Sequence, residues 1–150
     1  QKLNECEYKQ GINRLKAAAV IQYTLPGVPS LFYGDEAGVQ GFGDPFCRAT
    51  YPWGAENEQL VDFYKSLGLV RKNCNAFVDG AFYTVFANQD AIAFTRQSKK
   101  SIAFVAVNRG KETISIDLPN ELNSSRTIFG CLPQDNKLYL AENEYTIICK

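Results

Sequence analysis

Histidine and methionine are both missing from this chain of 150 residues, and tryptophan occurs once. Without histidine no Ser-His or Cys-His pair can activate a nucleophile, so chemistry confined to these residues would have to rest on carboxylates. The same gap leaves Cys6, Cys47, Cys74, Cys131 and Cys149 without partners for a mixed zinc set, and no two of them form a CxxC pair, so no metal site is expected. Net charge is missing too, because 16 acidic residues cancel 16 basic ones. The basic residues are scattered and Lys99-Lys100 falls in a hairpin turn, which excludes an electrostatic footprint for nucleic acid. No long apolar run is present either: residues 17–33 are uncharged but broken by Gln22, Pro26, Gly27 and Pro29, so neither a membrane span nor a signal peptide is expected.

An odd number of cysteines reads as buried free thiols, which favour the cytoplasm. Cys131 and Cys149 both end apolar strand-like runs, and a bridge between them stays open because spacing does not reveal how closely their Cα atoms approach. The chain opens on Gln1 rather than methionine, in the manner of a processed or excised piece.

The stretch around which the rest is arranged runs over residues 26–53, PGVPSLFYGDEAGVQGFGDPFCRATYPW. Residues 28–33 are apolar and lie between Gly27 and Gly34, as a buried strand entered and left through unrestricted φ would. Pro29 lacks a donor and belongs at the strand's start or on an edge. After Gly34 come Asp35, Glu36, further glycines and Asp44-Pro45, a polar loop of the kind that carries sites.

Before that stretch, residues 5–25 read as a helix with Ile12, Leu15, Ala18, Ala19, Ile21 and Leu25 on one face. Asn4 and Glu7 form a capping-box pattern, and the alanines at 17–19 allow close approach to a sheet. After it, a second helix is expected over about 56–72, capped near Asn57, with Leu60, Phe63, Tyr64, Leu67 and Val70 as its stripe and Arg71-Lys72 at its dipole's negative end. A lone strand between helices cannot form a sheet, so half a domain is expected to be missing from residues 1–75. From residue 76 the texture changes to short alternating strands, at 82–87, 91–96, 102–107, 113–118, 126–131, 137–140 and 145–149, separated by Asn, Ser, Lys and Gly turns. That pattern argues for a small antiparallel β-sandwich over 76–150, with Phe82, Phe86, Phe94 and Phe104 in its core.

GVPSLFYGDEAG, then GFGDPFCRATYPWG, then a helix containing LVDFYKSLGLVRK, resembles the end of the catalytic barrel in the α-amylase family of glycoside hydrolases. The pattern is similar to GxPxxYYGDExG…DPxxRxxYPW of the cyclomaltodextrinase, neopullulanase and amylopullulanase branch, and the resemblance covers the whole chain. It implies α/β plus all-β architecture: residues 1–75 as the last β/α segment of a (β/α)8 barrel (seventh helix, eighth strand, eighth helix), and 76–150 as the sandwich called domain C. It also implies a retaining α-glucan hydrolase whose aspartate nucleophile, glutamate acid/base and second aspartate lie on earlier strands, so that no catalytic residue is in this chain and the chain alone is inactive.

The resemblance places Tyr33, Gly34, Asp35 and Glu36 at the barrel mouth, with Glu36 structural, and gives Asp44 and Arg48 the family's DPxxR positions, which hydrogen-bond glucose hydroxyls. The same two residues also suit an ion pair that merely pins a Gly-rich loop. Tyr51 and Trp53 suit either a sugar ring or the junction between barrel and sandwich. Cys47 and Ala49 fall at variable positions, so fine specificity is not carried over. No cofactor is implied for these residues; calcium, where relatives bind it, is held by residues outside this chain. The implied partner is an α-glucan. Uncovered Leu15 and Leu31 surfaces are expected to drive self-association, which a sharply monomeric sedimentation profile at high concentration would contradict. The competing class is a non-catalytic β-sandwich that binds glycans or another protein.

Overall fold

The computed structural model describes residues 2–122 and 125–150, which form three layers: helices, a five-stranded sheet and a two-stranded sheet. Helix α1 (Glu5–Thr24) starts on the expected capping box, in which Asn4 accepts from the Glu7 amide and Glu7 accepts from the Asn4 amide. Its buried residues are Ala17, Ala19, Val20 and Thr24, while Ile12, Leu15, Ile21 and Leu25 pack at the margin. Ala18, placed on the apolar face by spacing, is exposed. The small side chains at 17 and 19 turn the helix's narrow side to the sheet, and Ala18, about 100° further round, is left outside.

Helix α2 (Glu58–Asn73) is capped by the Asn57 side chain, which accepts from the Leu60 amide, and it buries Leu60, Phe63, Tyr64 and Leu67. A single turn, α3 (Ala76–Asp79), follows and buries Ala76 and Phe77. Four residues are too few for a period to register, so this turn was not expected.

All seven expected strands form. The larger sheet has the order β1 (Ala81–Ala87), β2 (Ala91–Gln97), β3 (Ile102–Asn108), β7 (Tyr145–Cys149), β5 (Arg126–Gly130), antiparallel throughout. The smaller pairs β4 (Ile114–Asp117) with β6 (Lys137–Leu140). One face of the larger sheet, with Phe94, Ala103, Val105, Val107 and Ile147, packs on α1, α2 and α3. The other, with Ala93, Phe104, Ala106 and Ile148, packs on Ile116, Leu138 and Leu140 of the smaller sheet. Hence β3 is buried on both faces and reads as the continuous apolar run IAFVAV. Phe82 and Phe86 share sequence parity yet fall on opposite faces, because a bulge between Thr84 and Phe86 shifts the register.

Two expectations fail. Residues 28–33 form no strand: Val28 is 92% exposed and Phe32 62% exposed. A strand needs a neighbour for its backbone groups, and none of the described strands lies beside this segment. The cysteines are not all free and buried. Cys74 and Cys149 form a disulfide, their Cα atoms 6.8 Å apart, whereas Cys6 and Cys47 are exposed and Cys131 is half-buried. Cys131 does not meet Cys149 because it lies opposite Tyr145, four residues along β7, about 13 Å at the rise of a strand. The free-thiol argument for the cytoplasm therefore loses its premise.

Candidate functional site

The segment between α1 and α2 is held in shape by a few specific ties. Gly27 and Gly34 have φ of 103° and 91°, the left-handed region that favours glycine, so their predicted conformational role is met although the strand between them is absent. The chain leaving α1 is gripped by Arg71, whose guanidinium donates to the carbonyls of Tyr23, Leu25 and Gly27. Gln22 donates to the Ser30 carbonyl. A compact turn then folds back on itself, with the Val39 amide donating to Gly34 O at 2.9 Å and the Gly38 amide to Asp35 O at 3.2 Å. Tyr8 donates to Gly38 O, Asn57 donates to the Tyr8 hydroxyl, and the Asn57 amide donates to Ala37 O at 3.0 Å. The start of α2 thereby closes the segment against α1.

Within this frame the four residues assigned to a mouth divide in function. Glu36 accepts from the Gly34 amide at 3.0 Å and so braces the turn it belongs to. Tyr33 donates to the Ala49 carbonyl at 3.0 Å, bringing the turn against the loop that follows Arg48. Asp35 has its carboxyl pushed above the usual range by partial burial and by the neighbouring Glu36 charge. Burial, and then Asp35, Tyr23 and Glu36, push the Tyr64 phenol up to about 12. The charges of Asp35 and Glu36 thus act on the phenols of the helical layer.

Asp44 and Arg48 meet each other instead. Arg48 Nε lies 2.8 Å from Asp44 Oδ1 and Nη2 donates to Oδ2 at 3.4 Å, with 75% of the Arg48 side chain and 63% of that of Asp44 exposed. The pair spans a 3-10 turn (Phe46–Arg48) held by Cys47 N–H to Gly43 O and Arg48 N–H to Pro45 O, both 3.0 Å, after a cis Asp44-Pro45 bond. Gly41 has no room for a side chain, since a Cβ there would stand 2.6 Å from Cys47 Cα.

The same loop carries aromatic side chains that sequence reading only partly found. Tyr51 and Trp53 pack ring on ring, 4.6 Å between centroids, and Trp53 is 84% exposed, so it does not fill a junction with the sandwich. Phe42 and Phe46 are exposed as well. Their signal was available, for both sit among glycine and proline with no apolar period to bury them. The loop therefore offers outward charged donors and acceptors with exposed aromatic rings nearby, the chemistry that binds sugar hydroxyls and sugar faces. Among the described residues no group of three His, Cys, Asp or Glu could hold a metal ion, and no helix is long and apolar enough to cross a membrane.

No protein-family model matches the chain. It is similar, however, to an amylopullulanase of Thermoanaerobacterium thermosulfurigenes, at 35% identity over 90% of this chain and 8% of that protein. It is also similar to a cyclomaltodextrinase of Thermoanaerobacter pseudethanolicus, at 34% identity over 91% of this chain and 25% of that protein. Among solved structures, an Anoxybacillus α-amylase superposes with a TM-score of 0.81 at 25% identity, over 92% of this chain and 32% of that one. A Nostoc punctiforme debranching enzyme does so at 0.79 and 21% identity, over 93% and 29%. The chain spans between about a twelfth and a quarter of these two curated relatives. In sequence and in its sandwich, which matches the C-terminal domain of those enzymes, the chain belongs to the α-amylase family of glycoside hydrolases.

Proposed function

We propose that the chain is the C-terminal portion of a retaining α-glucan hydrolase acting on starch, pullulan or cyclodextrin, and that by itself it does not cleave glycosidic bonds. In this reading residues 1–75 are the closing segment of a (β/α)8 barrel and 76–150 its domain C. The nucleophile, the acid/base and the stabilising aspartate are supplied by earlier strands. Asp44 and Arg48 bind glucose hydroxyls, Glu36 shapes the barrel mouth, and no cofactor is needed from these residues.

The observation that carries the glucan contact is the outward exposure of the Asp44–Arg48 pair. The loop is already held by backbone bonds and by Tyr33, and an exposed ion pair contributes only about 0.2–1 kcal/mol. The two side chains are therefore poorly used as pins and well placed to meet a ligand. The test is release of reducing sugar from starch, pullulan and cyclodextrin by the chain alone, by the longer protein that carries it, and by that protein with Asp44→Ala. The chain alone yields nothing above buffer. The longer protein is active, and Asp44→Ala raises its KM about tenfold or more without lowering its melting temperature. Product from the chain alone would overturn the assignment.

A further inference from the structure

The Cys74–Cys149 bridge lies where the three parts of the fold meet. Cys74 is the C-cap of α2 and is nearly fully buried, and Cys149 is the last residue of β7, a strand hydrogen-bonded on both sides within the larger sheet. Between Leu67 and Cys74 no side chain of α2 is fully buried: Leu69, Lys72 and Asn73 are exposed, and Val70 and Arg71 are half-buried. Packing thus holds the middle of α2 and the turn at Ala76 and Phe77, and the bridge ties down the stretch between them. Arg71, one turn before Cys74, grips the Tyr23, Leu25 and Gly27 carbonyls, so the end of α2 in turn holds the entry to the exposed 26–57 segment.

We propose that this disulfide is a redox-sensitive staple, which fixes the last turn of α2, and through Arg71 the entry to the 26–57 segment, on the sandwich when oxidised and releases both when reduced. A dithiol reductant supplies two electrons and two protons: its thiolate attacks a sulfur of the bridge, the S–S bond breaks, Cys74 and Cys149 become thiols, and the reductant closes into its own disulfide. Cys149 is only partly buried, unlike Cys74, and is the side from which that thiolate approaches. No neighbouring cysteine competes, since Cys131 lies at the far end of β7 and its thiol is pushed up by burial and by Glu144, which leaves it less reactive. The sandwich keeps its strands on reduction because its two cores contain nothing of the 26–57 segment and, from the end of α2, only Cys74 with Val70 at the margin.

The inference does not depend on the glucan reading and is tested on the chain itself. Alkylation of the denatured, unreduced protein labels three cysteines, Cys6, Cys47 and Cys131, and dithiothreitol applied to the native protein raises the count to five. On reduction, hydrogen exchange in peptides covering 66–75 and 21–26 accelerates tenfold or more, while peptides from β2 and β3 are unchanged. Cys74→Ala/Cys149→Ala reproduces the reduced pattern and no longer responds to dithiothreitol; should that variant fail to fold, the reduced wild-type chain decides. Five labels without reductant, three labels after it, unchanged exchange at 66–75, or an equal rise in every peptide would each overturn the staple.

Discussion

Arg96 is the largest fully buried side chain, 2% exposed, and forms no ion pair among the described residues. Its Nε donates to Gly80 O at 3.0 Å and its Nη1 to Thr24 O at 2.7 Å, which ties strand β2 to the C-terminal end of α1. That end carries partial negative charge, and α1 has no basic residue of its own in its last turn, so Arg96 and Arg71 supply from outside what the helix lacks. Arg96→Met keeps most of the volume but leaves two buried carbonyls unpaired. We expect a loss of about 3 kcal/mol, read as a lower urea midpoint with an unchanged slope. A loss below about 1 kcal/mol would mean that water replaces the guanidinium there. Tyr64 gives a second test. Its phenol pKa is held near 12, above the ordinary value of 10.0, so the folded state keeps a proton that the unfolded chain begins to lose near pH 10. Its contribution to stability is therefore present below pH 10 and is lost as pH rises toward 12. Tyr64→Phe should flatten that alkaline decline in a urea series at increasing pH; an unchanged decline would assign it to other groups.

The elements were legible where their causes are local. The Asn4–Glu7 box, the Asn57 cap, the stripe of α2 and the alternation in the strands are each written within a few residues, and each forms as read. Causes that lie elsewhere in the chain were not legible. The bulge that sends Phe82 and Phe86 to opposite faces is set by pairing with β2, and the Cys74–Cys149 bridge joins cysteines 75 apart in sequence. Residues 28–33 have a strand's composition but no neighbour to pair with among the described residues. In the site, the Asp44–Arg48 pair was legible in the DPxxR motif and as an ion pair within a Gly-rich loop, whereas the Tyr33–Ala49 and Tyr8–Asn57–Gly38 ties come from chain folding that no local motif reports. Asn57 joins both kinds of cause, as local cap and long-range tie. Asn57→Ala should cost about 1–2 kcal/mol in thermal or chemical unfolding, and Asn57→Asp, which keeps the capping oxygen, clearly less. Equal losses would place its value in the tie to Tyr8 rather than in the cap.

At the scale of the whole molecule, two cores on the faces of one sheet hold helices and sandwich together, and the disulfide adds to them. Closing 75 residues restricts the unfolded chain by about 4.5 kcal/mol on the chain-entropy account. Against this well-tied body the segment around residues 28–33 stands apart, apolar in composition and exposed in fact. In a barrel, a segment of this composition would pair on both edges and be covered by helices. Hydrogen exchange of the amides of 28–33, compared between the chain alone and the longer protein, tests this most directly. We predict exchange near the unprotected rate in the chain alone and protection of at least a hundredfold in the longer protein, as its neighbours take up the backbone groups. Equally fast exchange in both would contradict the reading of residues 1–75 as the closing segment of a barrel.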